Sequence, residues 1–127
     1  MKRTYSCPHC LTVLNPGTKI ILVARADKAQ GLILFDPQPG NYETIMSEKL
    51  HFAPQEAVEF HCPVCQSNLT SDKNKQLAEI NFVFDDGSYG RVFFSKIHGE
   101  KATYFVTKEK VERFGENSDL YGNMNFF

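Results

Sequence analysis

The sequence predicts a mostly β protein, and three observations lead there. Turn residues interrupt the chain at short intervals, as they do between strands. The runs between them are β-branched, aliphatic or aromatic, with 11 Phe and 5 Tyr but no Trp. The four cysteines fall in two matching turns, Cys7-Pro8-His9-Cys10 and Cys62-Pro63-Val64-Cys65, with a proline fixing φ at the second position of each.

Leu11 to Leu14 leaves the first turn as a short strand and stops at Asn15-Pro16-Gly17. Thr18 to Arg25 and Gly31 to Phe35 are apolar runs joined by a polar loop, Ala26 to Gln30, and read as a hairpin. Their near-continuous apolar character predicts that both faces are covered. Asp36-Pro37-Gln38-Pro39-Gly40-Asn41 is a loop, and Tyr42 to Phe52 fits either a helical face or an irregular strand. Ala57 to His61 enters the second cysteine turn as a strand, and Gln66 to Thr70 leaves it. Ser71 to Gln76 has no apolar residue and reads as a linker.

From Leu77 to Thr107 the pattern is a three-stranded antiparallel meander. Asp85-Asp86-Gly87-Ser88 supplies its first tight turn, since Asp-Gly tolerates positive φ. His98-Gly99-Glu100-Lys101 supplies the second. Phe94, Phe105 and Val83 are expected on one apolar stripe. Thr107 is expected to cap a short C-terminal helix, Lys108 to Phe114, closed by Gly115. The tail is polar apart from Leu120, Tyr121, Met124 and Phe126-Phe127; for the last two, docking back on the body is expected slightly ahead of binding a partner or fraying.

At 127 residues the chain is long enough for one real core. The reading divides it at 1–70 (the cysteine turns with the hairpin between them), 77–116 (meander and helix, packed on the first part as one unit) and 117–127 (tail). With 14 Lys+Arg against 15 Asp+Glu and a pI near 6.4, it lacks the basic field that holds nucleic acid non-specifically. No run approaches the roughly 20 apolar residues of a membrane span. Met1 to Ser6 has no apolar stretch of signal-peptide type. These features predict a cytoplasmic protein, where reduced Cys-x-x-Cys pairs bind metal more often than they form disulfides.

Two Cys-x-x-Cys pairs supply four soft ligands for one tetrahedral ion, so Cys7, Cys10, Cys62 and Cys65 are the candidate metal ligands. The paired turns resemble the knuckles of zinc ribbons, in which each pair caps a β-hairpin and the two caps share an ion. The resemblance covers roughly residues 4–14 and 57–70. It implies one structural Zn²⁺ per chain, with no open position for water or substrate. Between Cys10 and Cys62 lie 51 residues, against about 15–20 in compact ribbons. The extra closure entropy is only about 0.9 kcal/mol, against the order of 10–16 kcal/mol that structural zinc supplies in small peptides. The hairpin between residues 18 and 35 is therefore read as an insertion in the ribbon.

Iron in a rubredoxin-like site is the alternative ion. Rubredoxin knuckles usually place glycine after the second cysteine, where this chain has Leu11 and Gln66. Two chains sharing an ion across a dimer is a further arrangement. Cys-Pro-His-Cys alone also matches oxidising thioredoxin-like motifs. That chemistry needs a strand before it and a helix after it, for which the flanks of Cys7 leave no room. His61 adjoins Cys62 as a spare ligand; His9, His51 and His98 are scattered. Lys2, Arg3 and His9 lie near enough in sequence to soften a formal −2 charge on the site, but the expectation is that they are ordinary surface residues. No nucleophile elbow, phosphate-cradling glycine loop or Walker motif occurs, so no enzyme is expected. The expectation is a non-catalytic zinc-binding domain in a protein-interaction or adaptor role, its partner another protein or a second copy. A nucleic-acid-binding ribbon is the remaining alternative, set back because Arg91, Lys96 and Lys101 are offset by Asp85, Asp86 and Glu100.

Overall fold

The computed structural model describes residues 3–26, 29–121 and 126. Its strands are β1 (Arg3–Ser6), β2 (Ile20–Ala26), β3 (Ala29–Phe35), β4 (Thr44–Met46), β5 (Glu59–His61), β6 (Leu77–Phe84), β7 (Tyr89–Ser95), β8 (Thr103–Val106) and β9 (Val111–Phe114). They form two antiparallel sheets, one ordered β1-β6-β7-β8-β9 and the other β4-β3-β2-β5. No helix among the described residues is long and apolar enough to cross a membrane.

Period-two alternation decides which side chains face inward. In β2, Ile20, Leu22, Ala24 and Ala26 are buried while the residues between them are not. Across from them the larger sheet turns Ile80, Phe82, Val92 and Phe105 into the same core. Phe94 packs its ring 5.9 Å from Phe35 and 5.4 Å from Phe60, joining the two layers through aromatic contacts. β1 pairs with β6 from Arg3↔Phe84 to Ser6↔Asn81, so the segment before the first knuckle extends the sheet that the meander builds.

The Asp-Gly turn forms as expected: Gly87 adopts φ +89°, and its amide donates to the Phe84 carbonyl at 3.0 Å. The meander continues further than expected. In place of a helix over 108–114 there is strand β9, paired with β8 from Thr103↔Phe114 to Val106↔Val111. Thr107 caps a turn instead: its hydroxyl accepts from the amides of Glu109 (3.4 Å) and Lys110 (3.3 Å). A seven-residue helix barely repays its nucleation, whereas the open edge of β8 offers a ladder and lets Phe114 pack 5.5 Å from Phe105. Among the described residues, the helical content of this end is a single 3-10 turn, Ser118–Tyr121.

Three further expectations are corrected. The hairpin loop is shorter than 26–30, because Ala26↔Ala29 and Arg25↔Gln30 are already paired; Arg25 donates to Gln30 Oε1 at 2.9 Å. Val83 registers with Tyr89 on the outer face, away from Phe94 and Phe105, and is 43% exposed. The hairpin's second face is not sealed by the described residues: Leu32 and Ile45 are more than half exposed.

The outer face of the larger sheet has its own cover. Phe126 sits 5.0 Å from Phe93 and 4.9 Å from Tyr104, ring to ring. Tyr121 is buried beside them and its hydroxyl donates to Glu100 Oε1 at 2.7 Å. Tyr104 donates in turn to the Ser118 carbonyl. Phe126 thus docks back; Met124 and Phe127 lie outside the described residues.

Candidate metal centre

The two knuckles share the same backbone hydrogen bonds. In the first, the Leu11 amide donates to the Cys7 carbonyl at 2.9 Å and the Cys7 amide to the Thr12 carbonyl at 3.0 Å. In the second, Gln66 donates to Cys62 at 3.0 Å and Cys62 to Ser67 at 3.1 Å. The residue after the second cysteine, Leu11 or Gln66, takes φ +64° in both. That is the left-handed position where glycine is unstrained, and both side chains occupy it at some cost.

Each knuckle tops a hairpin whose outgoing arm crosses between the sheets. Ser6 bridges Val13, the Leu14 amide donates to the Tyr5 carbonyl, and the Leu14 carbonyl accepts from Ile21 in β2. His61 bridges Asn68, the Leu69 amide donates to the Phe60 carbonyl, and the Leu69 carbonyl accepts from Glu79 in β6. Leu14 and Leu69 are both buried to 1% exposure. The duplication therefore runs beyond the Cys-Pro-x-Cys turns, from Tyr5 and Phe60 through to these leucines. The expected strand at 11–14 survives as the single bridge at Val13.

The structure brings all four sequence-predicted ligands together. Their Sγ atoms lie within 4.8 Å of one another, a set that could hold a metal ion. Cys7 Sγ is 3.7 Å from Cys65 Sγ, and Cys10 Sγ is 3.7 Å from Cys62 Sγ. A tetrahedron with metal–sulfur bonds of about 2.3 Å has edges of about 3.8 Å, so these spacings fit one ion. Cys7 and Cys62 are fully buried, while Cys10 and Cys65 are exposed. The buried sulfurs accept backbone amides: His9 N to Cys7 at 3.3 Å and Val64 N to Cys62 at 3.4 Å. Such donors stabilise thiolate charge.

Burial pushes the Cys7 thiol up to about 12 and raises that of Cys62. Cys65 is held down to about 6, chiefly by the Ser67 hydroxyl at 3.3 Å and then by the Ser67 amide. Ser67 is a residue that sequence reasoning passed over; its signal is a hydroxyl two positions after the last cysteine.

His61, the candidate substitute for a cysteine, lies outside the four-sulfur group. Its Nδ1 is 3.1 Å from the Gln66 carbonyl and its Nε2 is 3.2 Å from Glu59 Oε1. The Nδ1 contact to Gln66 ties the second knuckle to its strand, while Glu59 lies beside the ring on the same strand. Arg3 lies elsewhere, its guanidinium 4.4 Å above the Phe84 ring and 5.2 Å from that of Phe105. Lys2 is outside the described residues. No family model matches the chain, and no curated protein or solved structure matches it either.

Proposed function

We propose that Cys7, Cys10, Cys62 and Cys65 bind one structural Zn²⁺ in a ribbon-like site, and that the protein is a non-catalytic interaction or adaptor module of a reducing, cytoplasmic compartment. The observation that carries this reading is the pair of 3.7 Å contacts between sulfurs of opposite knuckles. Four thiolates complete the coordination of a tetrahedral ion, which leaves it no position for substrate. The ion's work is then to fix two hairpins. At the tips of the two knuckles Leu11 is 70% exposed and Val64 65%. Exposed apolar side chains beside a rigid staple support a protein-facing role.

Elemental analysis and absorption of the purified native chain test the reading. One zinc per chain and a colourless solution are expected. A red protein with thiolate-to-iron absorption would replace it with an electron carrier. A protein with neither metal would remove the site altogether.

A further inference from the structure

Between the two sheets lies a cavity of about 260 Å³. Leu22, Ile33 and Phe60 wall it from one sheet, and Ile80, Val92 and Phe94 from the other. Its rim runs along the loop from Asp36 to Tyr42 and the segment from Ile97 to Thr103. Protein interiors are close-packed, and holes much larger than a water are few. This one exceeds the roughly 150 Å³ engineered apolar cavity that stays dry and takes up benzene.

Water needs two to four polar partners to settle in such a space, and Tyr5, Asp36, Tyr42, Lys96 and Glu100 at its edge already have protein partners. Tyr5 donates to the Pro37 carbonyl at 2.8 Å, and Tyr42 to that of Phe114 at 3.0 Å. Lys96 Nζ donates to Thr70 Oγ1 at 2.7 Å and to the Lys75 carbonyl at 3.2 Å. Asp36 takes Lys19 at 3.2 Å and the Gln38 amide at 2.8 Å. Glu100 accepts from Ser95 and Tyr121, and the His98 ring lies 5.5 Å from that of Phe52. Lys101, also on the rim, is exposed to solvent. Inside, Phe35, Phe60 and Phe94 stand at tilted angles with centroids 5.4–5.9 Å apart, offering ring faces and edges to a further ring.

From this geometry we infer that the cavity is a binding site for a small, uncharged, ring-containing apolar molecule. The inference goes beyond the metal-centred reading and is independent of which ion the cysteines hold. The test titrates the native, metal-containing chain with N-phenyl-1-naphthylamine, following its fluorescence. A saturable rise with one site per chain is expected. The sulfonated analogue of the same skeleton, 1-anilinonaphthalene-8-sulfonate, should bind at least tenfold more weakly. Val92→Phe, which fills the space, should weaken the neutral probe at least tenfold while metal content stays unchanged. Methyl NMR of the wild-type chain decides the matter should that variant fail to fold: shifts at Leu22, Ile33, Ile80 and Val92 support the site. The inference is overturned by an absence of saturable binding, equal affinity for the sulfonate, unchanged affinity in a folded Val92→Phe, or shifts confined to Leu32 and Ile45 on the outer face.

Discussion

Cys7 Sγ lies 3.7 Å from Cys65 Sγ although the two residues are 58 positions apart in sequence. Cys10 and Cys62 repeat the relation across the same site. Each knuckle therefore meets the other sulfur to sulfur, and β2 to β5 are spelled out in the chain between them.

Replacing any of the four cysteines with serine leaves three thiolates. Metal content should fall below one ion per chain, and stability by about 3 kcal/mol or more. Cys7→Ser and Cys62→Ser should be the more damaging pair, because these sulfurs are fully buried and accept backbone amides. Thermal melts alongside metal analysis measure both effects; an unchanged melt with full metal content would contradict the site.

In metal-free protein Cys65 should be the thiol that titrates lowest. It is exposed and held down to about 6, so it is mostly thiolate at pH 7 and loses that form as the pH falls through 6. Ser67→Ala removes the first cause and should move the midpoint up toward the ordinary value of about 8.5. The pH profile of iodoacetamide labelling at Cys65, read by mass spectrometry, checks this; a midpoint that does not move would refute the role of Ser67.

Leu11 holds φ +64° with its side chain 70% exposed, so burial does little to hold leucine there. A β-branched residue suits that backbone poorly: Leu11→Val should cost about 1 kcal/mol. Leu11→Gly should be neutral or stabilising, since the strain it relieves opposes the extra freedom of the unfolded chain. The same pair of substitutions at Gln66 should repeat the pattern in chemical denaturation.

Phe126→Ala uncovers Phe93 and Tyr104 on the outer face and should cost about 2 kcal/mol. Metal content should not change. Denaturant midpoints for this variant and the parent give the number; a difference under about 0.5 kcal/mol would mean that the tail contributes no cover.

Local rules made much of this legible. The Asp85–Ser88 turn, the β2–β3 hairpin and the four cysteines each carry their signal in neighbouring residues. What escaped was decided across the chain. Thr107 can cap a helix or close a turn with the same hydroxyl, and the open edge of β8 chose the turn. Nothing near Arg3–Ser6 announces β6 as its partner, because that register is set by Tyr5 facing Phe82 inside the core. At the metal centre, cysteine spacing revealed the sulfurs. Their supporting bonds at Ser67 and His61 depend on hairpin geometry that spacing does not encode.

The two leucines at the knuckle bases have a mechanical consequence. Through Leu14 the backbone passes from one layer to the other, and through Leu69 it passes back. An ion held by the four sulfurs would fasten both crossings like a single rivet. Its removal should loosen both crossings in a single step, with no stage at which one arm has frayed while its twin holds.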